Sequence, residues 1–209
     1  MRTRAPLALF ALVIAPLALA CEEDDPDPAR DADVGGAPDA GGVVAPDAGP
    51  PALTEPEIAG VAEAGTTEEI ELATFVQGAA TRADVRSHAA RVISENTAAR
   101  QTLRELAESL DITPAESALS RRLPADRRSL QKKTAAVLGG PDTDMQLMHA
   151  MVRYHAHVLD VFQTVLIPSA RTPSYREQIL LTRDMLAFEL AEARALYEDL
   201  GGPPVPVGE

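Results

Sequence analysis

The chain is poor in the residues that brace small secreted domains and β-sheets. Cysteine occurs once among 209 residues, tryptophan is absent, and aromatic residues make up only 3% of the total. A disulfide within the chain is therefore excluded. Hydrophobic residues nevertheless reach 45%, so a core has to be built mostly from Ala, Leu, Val, Ile and Met. That composition favours helices over strands, which draw on β-branched and aromatic side chains.

Positive charge is also scarce. The chain has 19 Lys and Arg residues against 32 Asp and Glu residues, which gives a formal net charge of −13. A nucleic-acid partner is not expected, because neutralising phosphates requires a basic surface. The sequence also lacks a phosphate-binding loop, a nucleophile elbow and any paired catalytic motif. We therefore expect a protein that is not an enzyme.

The first twenty residues have the form of a bacterial signal peptide. Residues 1–4 carry two arginines, and the apolar run over 5–20 is too short for a comfortable membrane span. The run ends in Leu-Ala-Leu-Ala before Cys21, which resembles a lipobox, so we expect Cys21 to be lipidated and to become the first residue. The alternative is ordinary secretion, with cleavage after Ala20 and a free thiol. A lipid anchor predicts a location in the cell envelope, at the periplasmic face or the outer membrane, with the membrane as a partner.

Three further regions follow the signal peptide of residues 1–20. Residues 21–53 contain Cys21 and a low-complexity stretch of Glu, Asp, Pro, Ala and Gly, in which Pro-Asp-Ala occurs twice. This stretch lacks the large apolar side chains that would offset the entropy of ordering, so we predict a disordered acidic tether. Residues 54–200 form one predicted helical domain. Residues 201–209 form a flexible tail that begins with a helix-terminating Gly-Gly-Pro-Pro.

Apolar residues spaced three and four apart predict four long helices in the domain. The first half of the first helix is less regular, because it contains Gly60, Gly65 and two adjacent threonines. A proline-containing capping box at 113–116 and a short helix over 126–138 predict a helix-containing crossover between the second and third long helices. The long helices are expected over 55–80, over 82–110, from Asp142 or Thr143 to Pro168, and from Pro173 to the Gly-Gly pair that begins at residue 201. The predicted fold is all-α, a ferritin-like up-down four-helix bundle with this longer crossover.

Each predicted long helix carries one polar residue where its apolar pattern calls for a core residue. These residues are Glu69, Asn96, His155 and Glu189. A buried amide without a partner costs roughly 2–7 kcal/mol, and an unpaired charged group costs more. We therefore expect the four side chains to face one another or to share an ion.

Several of these positions resemble the bacterial envelope proteins that carry domain of unknown function 4142, a family placed among ferritin-like folds. The resemblance covers about residues 57–197 and is most specific in the third long helix. It rests on Asp144, the run Ala150-Met151-Val152, His155, Phe162, Glu69 with Glu71, and the closing stretch from Leu190 to Leu196. The family usually has histidine at the positions of Asn96 and Glu189. The resemblance implies that an amide and a carboxylate have replaced two imidazoles here, and it implies no biochemical activity.

Two interpretations of the four polar residues remain open. A ferritin-type di-iron centre is excluded, because none of the histidines has a glutamate three residues before it. One interpretation is a mononuclear site for Zn, Mn or Fe(II), formed by Glu69, His155 and Glu189 with Asn96 or water. The other, which we prefer, is a hydrogen-bonded layer without a cofactor, in which the imidazole bridges the two carboxylates. His88 is expected at the boundary of the core.

A group of methionines offers a second kind of metal site. Thioether sulfurs suit Cu(I), and Met145, Met148 and Met151 share one predicted helix, with Met185 on the next. Methionine more often fills irregular cores, especially where aromatic residues are scarce. We favour that core-filling role.

A basic run over residues 121–133 stands out against the acidic background. It could dock on anionic lipid head groups or on an acidic partner. Such runs more often form the solvated face of a short helix, and the acidic tether of the same molecule is an obvious intramolecular partner. For the whole chain we expect a membrane-anchored, non-enzymatic binding or stress-related module, whose protein partner the sequence does not identify. The alternative is metal binding for storage, sensing or redox chemistry.

Overall fold

The computed structural model describes residues 52–205, which form an all-α helical bundle, as predicted. Its main helices are α1 (Glu55–Ala79), α2 (Ala83–Ser109), α3 (Ala118–Ala135), α4 (Thr143–Val161) and α5 (Pro173–Asp199). The predicted signal peptide, the lipidation site Cys21, nearly all of the predicted tether and residues 206–209 lie outside the described residues. Among the helices of residues 52–205, none combines the length and the apolar character that a membrane crossing requires.

Helix α1 begins at a capping box and continues through its irregular first half. The Thr54 hydroxyl accepts a hydrogen bond from the backbone N–H of Glu57, and the Glu57 carboxylate accepts one from the Thr54 N–H at 2.9 Å. Further along, the hydroxyl of Thr66 donates to the carbonyl of Ala62 at 3.0 Å. The hydroxyl therefore has a partner within the helix and leaves no unpaired donor in the core.

Helix α3 begins earlier than the sequence predicts. The predicted capping box at 113–116 and the predicted helix over 126–138 are both wrong in position, because the helix covers Ala118–Ala135. Reciprocal hydrogen bonds between Ser117 and Ser120 form the actual capping box. The two serine hydroxyls accept the same two backbone hydrogen bonds that Thr113 and Glu116 were expected to accept. Both serines are buried, whereas Thr113 and Glu116 are exposed.

Pro124 consequently lies inside α3, where its missing N–H and its ring normally interrupt a helix. Contacts on the inner side of α3 hold the helix at this point. Leu123 is fully buried, and the Tyr154 hydroxyl of α4 donates to the Leu123 carbonyl at 3.2 Å. Because α3 packs on both α1 and α4, it is a fifth member of the bundle and more than a connection.

The ends of α4 and α5 follow the sequence signals. Helix α4 passes into a π-helical segment, Phe162–Leu166, and a short α-helical turn, Ile167–Ser169, so the helical path ends just after Pro168. The proline cannot donate a helical hydrogen bond, and the wider π turn precedes it. Gly201, with a φ of 89°, follows the end of α5 as the Gly-Gly pair predicts.

The two helical hairpins, α1–α2 and α4–α5, cap each other's turns. Asp144, in the first turn of α4, accepts hydrogen bonds from the backbone N–H groups of Thr81, at 2.8 Å, and Arg82, at 3.2 Å. Glu55, in the first turn of α1, accepts one from the N–H of Thr172 at 2.9 Å. Neither α2 nor α5 has a side-chain cap of its own. Each of these helix starts therefore receives a carboxylate cap from the opposite hairpin.

These contacts also fix the directions of the helices. Because the start of α4 lies beside the α1–α2 turn, α2 and α4 begin at the same end and run the same way. The 18 residues of α3 return the chain along the bundle, over about 27 Å at the α-helical rise. This is the helix-containing crossover that the sequence predicts. The relation to ferritin-like folds stays a prediction.

Gly60 allows the connection between α2 and α3 to cross α1 closely. A Cβ at this position would lie 2.1 Å from the carbonyl oxygen of Ala115. The Ala115 N–H holds the same crossing by donating to the carbonyl of Pro56 at 2.8 Å. Gly78, near the end of the same helix, has no atom within 4 Å of the place where a Cβ would lie. Of these two glycines, only Gly60 is therefore required by a close backbone approach.

Replacing each of the two glycines by alanine distinguishes the effect of the close backbone approach on stability from the effect of helix propensity. Gly60→Ala should lower the free energy of unfolding by about 2 kcal/mol or more, because the methyl group would displace the backbone at Ala115. Gly78→Ala is the matched control and should raise it by about 0.5–1 kcal/mol, because alanine is the better helix former. Urea unfolding followed by circular dichroism measures both. Equal effects of the two substitutions would contradict the close approach at Gly60.

Candidate functional site

Four polar side chains, one from each of α1, α2, α4 and α5, lie inside the bundle near the middle of these helices. We call them the polar layer; its members are Glu69, Asn96, His155 and Glu189. Each is 0% exposed, which is the inward orientation that the spacing of apolar residues predicts. The layer is therefore closed to solvent on all sides.

The polar layer consists of two pairs. Nδ1 of His155 lies 2.8 Å from Oε2 of Glu69. The side-chain amide of Asn96 donates to both carboxyl oxygens of Glu189, at 2.9 and 3.0 Å, and lies 3.1 Å from the carbonyl of Val92. The interpretation in which the imidazole bridges both carboxylates is therefore wrong. His155 of α4 contacts the carboxylate of α1, whereas Asn96 of α2 holds the carboxyl group of α5.

Several polar atoms of the layer have no hydrogen-bond partner among the described residues. They are Oε1 of Glu69, Oδ1 of Asn96 and Nε2 of His155. The Nδ1 atom of His155 is also poorly aligned with Glu69, so their contact is an ion pair without a well-directed hydrogen bond. Buried polar atoms are rarely left unpaired in proteins. The layer is therefore costly to bury.

Burial and neighbouring charges set the protonation of the layer. Burial lowers the pKa of His155, but the adjacent Glu69 outweighs burial and raises the imidazole pKa above its ordinary value of 6.5; any charge on Glu189 acts in the same direction. Burial raises the pKa of Glu189 to about 8, although His155 and Asn96 favour the charged form. The neighbouring Glu69 therefore favours the imidazolium form of His155, whereas Glu189 is mostly neutral at pH 7.

His88 is the neighbour of the layer that the sequence interpretation placed wrongly at the core boundary. It is only 7% exposed, and its ring stands edge-on to that of His155, with centroids 6.3 Å apart. Burial, together with the charges of His155 and Arg91, lowers the pKa of His88 to about 4, so this ring is neutral at pH 7. The sequence does contain a signal for this position. His88, Val92 and Asn96 follow one another at intervals of four, so they share one helix face and His88 could have been predicted to point inward.

The geometry does not assemble the predicted mononuclear metal site. Within residues 52–205, no three His, Cys, Asp or Glu side chains are grouped so that they could hold a metal ion. A zinc ion needs its ligands at about 2.0–2.2 Å, so they have to converge. Glu69 and His155 are in contact, but Asn96 engages Glu189. The donor types suit Zn, Mn or Fe(II), whereas their placement does not fit such an ion.

The methionines of the predicted Cu(I) site lie in or against the hydrophobic core. Met148 and Met151 are fully buried, and Met145 and Met185 pack against the core with part of their surface exposed. Their surroundings are those of the core-filling role.

The fold and the layer define a class of protein: an all-α bundle whose interior polar residues are paired and closed to solvent. The family model described as "Domain of unknown function (DUF4142)" matches residues 43–196, and the chain belongs to this family. The match confirms the resemblance expected over about residues 57–197. No curated protein and no solved structure matches the chain.

The raised pKa of Glu189 makes stability depend on pH in one direction. Below the ordinary value of 4.5 the carboxyl group is protonated in both the folded and the unfolded chain. Between 4.5 and about 8 the unfolded chain has released a proton that the folded chain retains. A rise in pH across this window therefore favours unfolding, and Glu189 contributes a loss of stability.

Glu189→Gln should remove that loss, because the amide has the shape of the neutral carboxyl group and does not titrate. The free energy of unfolding of the variant should exceed that of the wild type by about 1–3 kcal/mol near pH 8, and by much less near pH 5. Urea unfolding at both pH values measures the difference. Glu177→Gln, at an exposed position of the same helix, is the control and should show no such trend. Parallel wild-type and Glu189→Gln stability profiles would show that the folded state does not retain the proton.

Proposed function

We propose that the chain is a bacterial envelope lipoprotein, held at the membrane by lipid on Cys21, whose helical bundle is a non-enzymatic binding or stress-related module. The burial of the polar layer carries the non-enzymatic part of this proposal, since all four side chains are 0% exposed. A catalytic acid or base has to come within hydrogen-bond reach of its substrate. An organic substrate could not reach these groups without opening the bundle.

The two grooves found on residues 52–205 do not lead to the layer either. One groove follows α2 from Thr97 to Glu108, and a second lies where α2 passes into the connection to α3. Both are lined mainly by charged and polar side chains, and neither includes a residue of the polar layer. Enclosed, largely apolar pockets are typical of small-molecule sites. The outer faces of the helices are thus the better candidates for binding.

The outer face of α5 supports a binding role. Leu181 and Phe188 are 57% and 56% exposed, and their spacing of seven residues places them on the same side of the helix. The guanidinium of Arg91 lies over the Phe188 ring, 5.5 Å from its centroid, and pairs with Glu192. Aromatic and arginine side chains are enriched at protein interfaces. This face is the surface that a protein partner would cover.

Metal binding by the polar layer is the alternative function, and one observation favours it. The potential ligand atoms Oε1 of Glu69, Nε2 of His155 and Oδ1 of Asn96 have no partner among the described residues. A Zn, Mn or Fe(II) ion that drew them together would satisfy them, in a storage, sensing or redox role. The division of the layer into two pairs weighs against this function, because Glu189 would have to leave Asn96.

Cys21→Ser tests the anchor. In a bacterial host that processes lipoproteins, the wild-type chain should fractionate with membranes, and its N-terminal peptide should start at an acylated Cys21 by mass spectrometry. The variant should lose the acyl groups and move to the soluble fraction. Its circular dichroism should be unchanged, because the described hydrophobic core is complete with residues from Leu53 to Val205 and does not use Cys21. A wild-type protein with a free thiol in the soluble fraction would replace the anchor by ordinary secretion.

A further inference from the structure

The outward side of α3 concentrates positive charge on an acidic chain. Helix α3 contains six basic residues and one acidic residue, whereas the chain as a whole has a net charge of −13. Both lysines of the chain, Lys132 and Lys133, lie in this helix. Such a local reversal of charge on an otherwise acidic chain marks a surface suited to an anionic partner.

Five of the six basic side chains are exposed on one side of α3; we call them the basic face. Its members are Arg121, Arg122, Arg128, Lys132 and Lys133. Arg121, Arg128 and Lys132 are seven and four residues apart, which places them in one line along the helix. The exposed positions between these cations hold only alanine and serine. The face is therefore basic throughout.

The sixth basic residue, Arg127, holds the helix in place. It is buried and pairs with Glu68 of α1, and its guanidinium also contacts Gln131. The sequence expectation of a wholly solvated basic run is thus wrong at this position, where a buried carboxylate is available to pair with the charge. The inner pair fixes α3 against α1 and directs the basic face outward.

The basic face is only partly neutralised. Arg121 lies 3.6 Å from Glu116, and Arg122 lies 3.1 Å from Asp126. Exposed pairs of this kind contribute little and exchange readily with other anions. Among residues 52–205, no carboxylate pairs with Arg128, Lys132 or Lys133. These three charges are available to a partner.

We propose that the basic face of α3 docks on the anionic phospholipid surface of the membrane. The inference rests on the proposed function, because the lipid on Cys21 would keep the bundle beside a bilayer. The 30 residues between Cys21 and Ala52 span at most about 100 Å. This segment is therefore long enough to let the bundle touch the membrane in which the lipid is inserted. A phospholipid surface is then always within reach, whereas an acidic protein would have to be captured from solution.

Docking through α3 would orient the bundle. Helix α3 packs on α1 and α4, so α2 and α5 make up the far side. The exposed Leu181 and Phe188 of α5 would then face away from the bilayer, where a protein partner could reach them. The lipid anchor supplies attachment, and the basic face supplies orientation.

Vesicle binding by the unlipidated chain tests the proposal. The protein starts at position 21 with Cys21→Ser, so it keeps every other residue of the expected mature chain. At low ionic strength it should sediment with vesicles of phosphatidylglycerol and phosphatidylcholine but not with phosphatidylcholine alone, and salt should release it. Arg128→Gln/Lys132→Gln should weaken binding by about tenfold or more. The control Arg104→Gln/Arg171→Gln removes two exposed cations elsewhere and should weaken it by less than about threefold.

Lysine acetylation gives a second readout, because Lys132 and Lys133 are the only lysines of the chain. Anionic vesicles should protect both from acetylation, as detected by mass spectrometry. Equal binding to the two kinds of vesicle, equal losses in the two double variants, or unprotected lysines in bound protein would overturn the proposal. Binding to polyglutamate but not to vesicles would assign the face to an acidic protein instead. A failure of lipidation at Cys21 leaves this assay unaffected, so the two proposals fail separately.

Discussion

The ion pair between His155 and Glu69 is the interaction on which the interior of the bundle depends. Burying a charged group away from water costs roughly several kcal/mol, and a closely placed opposite charge is needed to offset that cost. His155 and Glu69 lie 2.8 Å apart with both side chains 0% exposed, so their attraction offsets part of this cost, while Nε2 of His155 and Oε1 of Glu69 have no partner among the described residues. A shift of α4 along α1 by one turn, about 5.4 Å, would leave both charges buried and separated. We infer that the pair selects one register of these two helices, and that Asn96 with Glu189 does the same for α2 and α5.

The carboxylate caps extend this control from the middle of the bundle to its ends. Asp144 of α4 accepts hydrogen bonds at the start of α2, and Glu55 of α1 accepts them at the start of α5. The turn of each hairpin is therefore capped by a residue of the other hairpin. Helix α3 then connects the hairpins along the outside, held by the buried Arg127. The buried polar groups are therefore engaged in holding helices together. Under this account the surface carries the function, with α3 turned toward the membrane and α5 toward a partner.

The spacing of apolar residues was sufficient to predict the four long helices and the four members of the polar layer. It could not predict how they pair, because helical periodicity gives the direction of a side chain around its own axis but not which neighbour it meets. In the structure, Glu189 accepts its hydrogen bonds from Asn96 and not from His155. The start of α3 was missed because capping signals are local, whereas the contacts of Leu123 and Arg127 with other helices are not. His88 was missed because a partly apolar ring beside Ala89 fits a core boundary as well as an interior.

The central claim is that the polar layer holds the bundle together and binds no metal. Its most direct test is the metal content of the membrane-extracted protein, purified without chelators, by inductively coupled plasma mass spectrometry. The wild type, His155→Gln and the control His157→Gln, which changes a partly exposed ring outside the layer, are compared. The account predicts far less than one metal ion per chain in all three, with only His155→Gln losing stability. Close to one ion per chain in the wild type and in His157→Gln, lost in His155→Gln, would contradict it and establish a metal centre.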